Sequence, residues 1–277
     1  MEKVMKMLGV VTLYNPDKEQ ALNNINCYEP YIDKLIVWDN SAECHSKWFA
    51  SDRTIYHWTG KNTFIAPALN YALQYAKEKA FDNVLIMDED SQWNNFLGFR
   101  NTVEQMQREG KICIYTPYVV GCDVFAITDA IQEKRIFINS GTIIPVKILE
   151  ELGGVDEKAF PLDAIDHDLA FSNIEKGHKT VCLTEYKLHH SLGKPKRLGL
   201  FRIFTPDYNS LRTYHMTRSH IICYRKHRAL MTADDTDYLL KEILLRKLGR
   251  IILAEPDKLC RLISFIKGLV QGVCYKL

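Results

Sequence analysis

Three short apolar runs, each followed directly by polar residues, limit the folds open to this chain more than any other feature. The runs and the polar residues that end them occupy residues 8–13 with 14–16, 34–38 with 39–41, and 84–87 with 88–90. Helical spacing of apolar residues fills residues 66–79, and a further helix is expected to begin near Asp17. An order of strand, helix, strand, helix, strand predicts a parallel open sheet whose ligands bind outside the carboxyl ends of the strands. Asp39 and Asp88 are then expected to face one crevice.

The rest of the chain extends this pattern and then changes. Further strands are predicted at residues 112–115 and 143–146, with a short helix after the second one. Basic amphipathic stretches follow at residues 238–254 and 259–273. We therefore predict a main α/β domain over residues 1–230 and two C-terminal helices within 231–277. Such helices either pack on a protein core or attach to a membrane surface, and packing is the favoured interpretation.

The amino-acid composition fits one large folded domain and narrows the classes of partner that the chain is expected to bind. The 277 residues are 47% hydrophobic and 25% charged, and the formal net charge of +2 is too small to indicate nucleic-acid binding. The eight cysteines form no C-x-x-C pair, which is typical of free thiols in a reducing cytosol. No segment approaches the about 18 uninterrupted apolar residues of a membrane span, and no leader is recognised before the first strand. A cytoplasmic protein is expected.

Asp88 and Asp90 form a D-x-D motif at the end of an apolar run. In extended backbone the two aspartates project to the same side, with the spacing that a hard cation needs. A solvated turn would give the same three letters, but the preceding strand favours a metal site. We expect a Mg²⁺ or Mn²⁺ ion there, with open positions for diphosphate oxygens.

Several segments, in order, resemble the motifs of family 2 glycosyltransferases, and the similarity is greatest to the bacterial rhamnosyltransferase-like branch. On the nucleotide side the matching segments are residues 11–16, 37–41, 62–70 and 85–91. Further along the chain they are residues 139–142, 153–157, 162–169, 188–193 and 211–218, of which 162–169 resembles the acidic motif on the acceptor side. Together they span roughly residues 7–228. Two positions depart from the family pattern: Phe64 stands where glycine is usual, and Ser219 replaces asparagine.

The resemblance implies a GT-A fold, which is an α/β three-layer sandwich with a mainly parallel open sheet, here followed by the C-terminal helices. It implies that Asp166 is the general base and that Asp90 and His190 ligate the metal, with Asp88 close to the metal and the ribose. On the nucleotide-sugar side it implies roles for Thr12, Tyr14, Asp39, Asn62, Asp88 and Arg218. The chemistry agrees, because inverting transfer needs a carboxylate to accept the acceptor proton and positive charge to stabilise the departing diphosphate.

Each assignment has a structural alternative. Asp163, Asp166 and Asp168 are also what an acidic helix start would contain. Histidines are often structural residues, and only one of the adjacent His189 and His190 is expected to face the site. Arg218 and Tyr214 have the i, i+4 spacing of a surface helix pair.

The sequence therefore predicts an enzyme that moves a sugar from a nucleoside-diphosphate sugar to a saccharide or lipid-linked acceptor in surface polysaccharide synthesis. The resemblance makes dTDP-rhamnose the leading donor, ahead of UDP-hexoses and UDP-galactofuranose. Two alternatives stay open: a haloacid-dehalogenase-type phosphotransferase, which also carries D-x-D after a strand, and a glycosyltransferase fold kept as a binding module. Gln92 argues against the phosphotransferase, whose motif continues to Thr or Val at this point.

Overall fold

A computed structural model of the chain describes residues 5–123, 125–190, 196–198, 200 and 202–277. The start of the N-terminal segment and the last part of the predicted segment at 188–193 lie outside these residues. The chain divides into two compact units, Met1–Val155 with Asn173–His190 and Asp156–Ser172 with Ser191–Leu277. The division at residue 230 stays a prediction.

The first unit is built on a sheet of nine strands among the described residues. The strands are β1 (Met7–Leu13), β2 (Lys34–Asp39), β3 (Thr54–Trp58), β4 (Asn83–Asp88), β5 (Ser91–Trp93), β6 (Ile114–Val120), β7 (Ile131–Glu133), β8 (Thr142–Pro145) and β9 (Thr180–His190). Their order is β3-β2-β1-β4-β8-β6-β9-β5, with β7 also paired to β9. The β3, β2, β1 and β4 strands are mutually parallel, whereas β8 lies antiparallel between β4 and β6. Since β1 and β4 are buried along almost their whole length, they have the continuous apolar sequences of a covered parallel sheet.

Two of the helices of this unit begin at a capping side chain. The helices are α1 (Lys18–Asn26), α2 (Ala66–Glu78), α3 (Phe96–Arg108) and α4 (Val146–Glu151), with single 3₁₀ turns at Glu29–Tyr31 and Ser46–Trp48. The Asp17 side chain accepts from the Gln20 amide at the start of α1, and Asn95 accepts from Gly98 at the start of α3. The start predicted near Asp17 is confirmed.

One strand interrupts the predicted order. The strand that leads into Asp88 is the fourth in the chain and not the third, because Thr54–Trp58 adds an edge strand parallel to β2. Its residues are mostly half-buried, so the segment lacks the apolar run that identifies a central strand. The predicted strand at 112–115 begins two residues later, at Ile114.

The second unit is mainly helical. It contains α5 (Ile165–Glu175) up to Ser172, the hairpin β10 (Lys196–Leu198) and β11 (Ile203–Thr205), α6 (Ser210–His227), α7 (Ala233–Tyr238), a π-helix (Leu239–Arg246), α8 (Lys247–Leu253) and α9 (Lys258–Cys274). The predicted stretch at 238–254 is therefore divided between a π-helix and α8, whereas the stretch at 259–273 is one helix. Among the described residues, no helix is long and apolar enough to cross a membrane.

Two glycines let α9 approach α6 closely. A Cβ atom at Gly268 would lie 2.7 Å from the Tyr214 carbonyl oxygen, and one at Gly272 would lie 2.9 Å from the Arg218 carbonyl oxygen. The same face of α9 carries Phe265, which is buried. The last predicted helix thus packs within this unit through one face.

Candidate active site

Strand pairing brings together the acidic motif and a distant histidine. Asp88 ends β4, Asp90 follows in the connecting turn, and Ser91 begins β5. β5 runs antiparallel to the end of β9, in a register that sets Ser91 opposite His190. His190 therefore reaches the aspartates although about a hundred residues of chain separate them.

Asp88, Asp90 and His190 form a cluster suited to a metal ion. One ligand atom from each of them lies within 4.8 Å of the others, and the His190 Nδ1 is 3.2 Å from Asp90 Oδ1. Two carboxylates and an imidazole are ligands for a divalent cation, with remaining positions left for other oxygens. The residues present fit the predicted cation.

The cluster is supported by neighbouring hydroxyls. The backbone N–H of Asp88 donates to Ser140 Oγ at 3.0 Å, and Thr12 Oγ1 lies 3.5 Å from Asp88 Oδ1. Ser91 Oγ lies 2.7 Å from His190 Nδ1. Thr12 is the last residue but one of β1, so the parallel register of β1 and β4 sets it beside Asp88.

Glu89, between the two aspartates, holds the loop that follows β1. Its carboxylate accepts from the Tyr14 amide at 2.8 Å, and its backbone carbonyl accepts from Asn24 Nδ2 at 2.8 Å. Burial raises the pKa of Glu89 to about 8, and the nearby charges of Asp90 and Asp88 act in the same direction. The Tyr14 ring is exposed, and the backbone of this residue is fixed to the acidic motif.

Asp39 is fully engaged by protein groups. One carboxylate oxygen accepts from the Ser41 amide at 2.9 Å, and the other is 2.5 Å from Tyr56 Oη and 2.8 Å from His45 Nδ1. Burial acts to raise its pKa, but hydrogen bonds from Tyr56, Ser41 and His45 outweigh burial and lower it. Asp39 is thus an ionised, buried group that orders the loop after β2.

Phe64 adopts the backbone conformation favoured by glycine, which is the usual residue at this position in the family pattern. Its φ is +67°, in the left-handed region, and Asn62 Oδ1 accepts from its amide at 2.8 Å. The Asn40 side chain donates to the Phe64 carbonyl at 2.8 Å and accepts from the Thr63 amide at 2.9 Å. The departure from the family pattern therefore leaves the loop in a glycine-like path and adds backbone strain.

Asp166 lies in the first turn of α5, in the second unit, and pairs with the next residue. Its Oδ1 accepts from the His167 amide at 2.9 Å and lies 3.0 Å from His167 Nδ1. Burial alone would raise the pKa of Asp166, but the adjacent His167 lowers it, and Asp166 in turn raises the pKa of His167. The His167 ring stacks on Tyr238 with 5.8 Å between centroids and meets His220 edge-on at 5.2 Å. Asp166 is therefore an ionised carboxylate beside an oriented imidazole.

The two other acids of this segment have different surroundings. Asp168 is buried, and its Oδ1 lies 2.8 Å from Lys226 Nζ and 2.7 Å from His227 Nε2. Asp163 is 3.6 Å from Arg212 Nε, and burial raises its pKa to about 6. Asp168 thus serves as a structural ion-pair partner, whereas the surroundings of Asp163 disfavour its charged form.

Arg218 is directed into the second unit. Its guanidinium donates to the Ala159 carbonyl at 3.0 Å and lies over the Tyr275 ring at 4.9 Å. Only 9% of the residue is exposed. Its phosphate role stays a prediction, and the structure gives it a packing role within the second unit.

Sequence reasoning missed several groups that support these sites. His167, Ser140 and the Tyr56–His45 pair are not among the predicted site residues, and neither is Glu89. The Asp-His-Asp sequence at residues 166–168 places a histidine next to the predicted base and could have indicated His167. The others depend on strand register, which the sequence does not display.

The chain is similar to known proteins in sequence and in fold. No protein-family model matches the chain. A curated relative, the dTDP-rhamnosyl transferase RfbF of Shigella flexneri, is 24% identical over 246 residues, which cover 79% of this chain and 80% of the relative.

Solved structures show the same fold. The structure of residues 1–349 of TarS from S. aureus matches with a TM-score of 0.59 and 13% identity, over 97% of this chain and 81% of TarS 1–349. GalNAc-T7, solved with UDP, GalNAc and Mn²⁺, matches with a TM-score of 0.60 and 10% identity, over 99% of this chain and 57% of its own length. The predicted GT-A fold is confirmed, and the predicted resemblance to rhamnosyltransferases is supported by the similarity to RfbF.

Proposed function

We propose that this chain transfers a sugar, with inversion, from a nucleoside-diphosphate sugar to a saccharide or lipid-linked acceptor in surface polysaccharide synthesis. The observation that carries the proposal is the cluster of Asp88, Asp90 and His190 at the carboxyl end of β4 in a GT-A sheet. A diphosphate needs positive charge there, because the acidic motif alone would repel it.

The cation of this proposal is Mn²⁺ or Mg²⁺. Asp90 and His190 would hold it, and Asp88 would lie close to it and to the ribose. When bound, the ion supplies charge that stabilises the departing nucleoside diphosphate. The imidazole favours Mn²⁺ over Mg²⁺, since Mg²⁺ prefers a shell of oxygens only.

The donor of first choice is dTDP-rhamnose, supported by the similarity to a dTDP-rhamnosyl transferase. UDP-hexoses and UDP-galactofuranose follow, and the TarS structure solved with UDP-GlcNAc keeps the UDP-sugars in consideration. Five residues are proposed for the nucleotide-sugar side in addition to Asp88. They are Thr12, Tyr14, Asp39, Asn62 and Arg218.

Asp166 is the proposed general base. Its lowered pKa keeps it ionised near neutral pH, and a base must be unprotonated to accept the hydroxyl proton of the acceptor. His167 fixes the orientation of the carboxylate by two contacts with Oδ1.

The chain is proposed to meet a lipid-linked acceptor at the cytoplasmic face of a membrane through α9. Opposite its packed glycine face, the helix exposes a stripe of apolar side chains, Leu259, Ile263, Ile266, Val270 and Val273. Because each residue turns a helix by about 100°, this stripe is about 80° wide, with Lys258 and Lys267 on its two sides. Residues 258–277 contain no acidic side chain, so the surface complements anionic lipid.

Vesicle co-sedimentation tests the membrane contact. Vesicles with anionic lipid should bind the protein at low salt and release it at high salt, since salt screens exposed charges. Ile266→Asp should reduce binding, and Leu211→Asp, an exposed leucine on α6, is the matched control. An absence of binding at low salt would remove this part of the proposal.

A thermal-shift screen of nucleotide sugars with Mn²⁺ tests the donor. A ligand at ~100 times its dissociation constant adds ~2.7 kcal/mol to the free energy of unfolding. The donor that stabilises most should then support transfer to an acceptor. Stabilisation by none of the dTDP- or UDP-sugars would contradict the proposal.

The two alternatives have their own tests. Hydrolysis of p-nitrophenyl phosphate would support a haloacid-dehalogenase-type phosphotransferase, but the relatives named above give that class no support. A binding module would take the donor without turnover, although it would be expected to have lost its carboxylates, and Asp88, Asp90 and Asp166 are all present.

A further inference from the structure

The Asp39 carboxylate is closed to any ligand, although it lies where the loop after β2 begins. None of its side chain is exposed, and both of its oxygens accept from protein donors. His45, one partner of this carboxylate, reaches the surface with 14% of its side chain exposed. A ligand at this end of β2 would therefore meet the histidine and not the aspartate.

The His45 ring is held in one orientation from two sides. Its Nδ1 lies 2.8 Å from Asp39 Oδ2, and the ring contacts that of Trp48 with 4.3 Å between centroids. An ionised carboxylate only accepts hydrogen bonds, so Nδ1 carries the proton of the contact with Asp39. Neutral His45 then offers Nε2 as an acceptor, and this atom has no hydrogen-bond partner among the described residues.

The loop that carries His45 is tied to the edge of the sheet at which the cation cluster lies. Ser41 Oγ accepts from the Asn15 amide at 2.8 Å, and the next amide back along the chain, that of Tyr14, donates to Glu89 in the acidic motif. Strands β2, β1 and β4 are neighbours in the sheet, so the ends of β2 and β4 lie about 10 Å apart. A nucleoside diphosphate with its phosphates at the cluster can therefore place its base near the loop after β2.

We propose that His45 recognises the nucleobase, with Nε2 accepting from the N3–H group of uracil or thymine. The inference rests on the proposed function, which requires a nucleoside-diphosphate sugar. Asp39 is then a positioning residue, which acts through His45 and does not touch the base. Uracil and thymine carry a proton on N3, whereas cytosine has a lone pair there, so two acceptors would face each other. The site is thus expected to select UDP and dTDP over CDP.

Calorimetry of UDP and CDP binding to the full chain, with Mn²⁺ present, tests this role without any turnover. Wild type should bind UDP about tenfold or more tightly than CDP, since CDP replaces a hydrogen bond by a repulsive contact. His45→Phe keeps a ring beside Trp48 and removes both nitrogens, so UDP affinity should fall roughly tenfold and the preference over CDP should disappear. The control is His178→Phe, which removes another carboxylate-paired histidine of the first unit, 2.7 Å from Glu151, and should keep the preference.

Asp39→Asn tests the positioning step separately. The Ser41 amide requires the side-chain oxygen of the asparagine, which turns the NH₂ group toward His45 Nδ1 and moves the ring proton to Nε2. UDP affinity should then fall with little loss of CDP affinity, because cytosine N3 can accept from that proton. An unchanged preference in the folded asparagine variant would overturn the positioning role of Asp39.

A measurement on wild type alone keeps the test decisive if a variant fails to fold, as judged by circular dichroism. UDP methylated at N3 lacks the N3–H group and should bind about tenfold or more weakly than UDP. Equal binding of UDP and CDP by wild type, a preference that survives in folded His45→Phe, or full affinity for the methylated nucleotide would each overturn the inference. Binding of no nucleotide to wild type would instead contradict the proposed function itself.

Discussion

Asp90 and His190 meet because two strands pair in register, whereas Asp166 and His167 meet because they are neighbours in the chain. The first pair depends on folding of the whole first unit, and buried hydroxyls fix its geometry. The second pair needs little more than the first turn of α5. Because the cation cluster is assembled over a long range, substitution of its supporting residues should disturb it. The Asp166 pair is assembled locally, so it should be disturbed mainly by substitution of Asp166 or His167 themselves.

The largest effect is expected for Asp166→Asn. The amide keeps the size of the carboxylate and cannot accept the acceptor proton, so turnover should fall ~10²–10⁴-fold while donor affinity changes little. Steady-state kinetics and calorimetry with the same donor measure the two quantities.

Asp163→Asn and Asp168→Asn are the controls for that variant. Asp168→Asn should lower stability, because Lys226 and His227 lose their shared partner. The Asp168→Asn protein that does fold should keep the turnover of wild type. If Asp166→Asn stays near wild-type activity, or if Asp168→Asn alone is inactive, the base lies elsewhere.

Asp90→Ala is expected to come next, with Mn²⁺ affinity reduced by roughly 10²-fold or more and nucleotide binding no longer dependent on the cation. Calorimetry with UDP or dTDP, with Mn²⁺ or with excess EDTA, checks both parts. Equal nucleotide binding by wild type in EDTA would show that the cluster does not use a metal for this step.

A smaller effect, on stability, is expected for Asp163→Asn. Since the pKa of Asp163 is raised to about 6 in the folded chain, above its unfolded value of about 3.9, wild type should lose stability as pH rises from about 4 to about 6. The asparagine variant lacks this loss. Its free energy of unfolding should therefore exceed that of wild type by about 1–2 kcal/mol above pH ~6.5 and by little near pH ~4. Urea unfolding at the two pH values measures the difference, and an equal difference at both would contradict it.

The smallest effect concerns the strained loop of the first unit. Phe64→Gly should be about 1 kcal/mol more stable than Phe64→Ala, because both lose the ring and only alanine keeps the left-handed strain. Thermal unfolding of the two variants compares them directly. A more stable alanine variant would mean that the loop relaxes away from its φ of +67°.

The part of the fold that carries apolar runs was predictable from the sequence. β1, β2 and β4 are buried central strands, so their sequences are almost continuously apolar, and the polar residues at their ends mark the site. The Ser91–Trp93 strand is only three residues long, and the second half of Thr180–His190 contains several exposed or half-buried side chains, so neither strand stands out as an apolar run.

The candidate site divides in the same way. Asp88, Asp90 and Asp166 lie in short motifs that the sequence displays, and the resemblance supplied His190. The hydroxyl pair of Ser91 and Ser140 was out of reach, because its members come together only through the pairing of β4 with β8 and of β5 with β9. Tyr56 was missed for a related reason, since it lies on the edge strand that the sequence did not reveal.

The close contact of α9 with α6 has a consequence for engineering the protein against heat. Replacing a helical glycine by alanine usually adds about 0.5–1 kcal/mol of stability, and Gly249 of α8 has open space around it for such a change. At Gly268 and Gly272 the added methyl group would meet backbone oxygens at 2.7 and 2.9 Å, which cannot move aside as a side chain would. A library that treats all three glycines alike would therefore gain thermal tolerance at the first and lose the helix pairing at the other two.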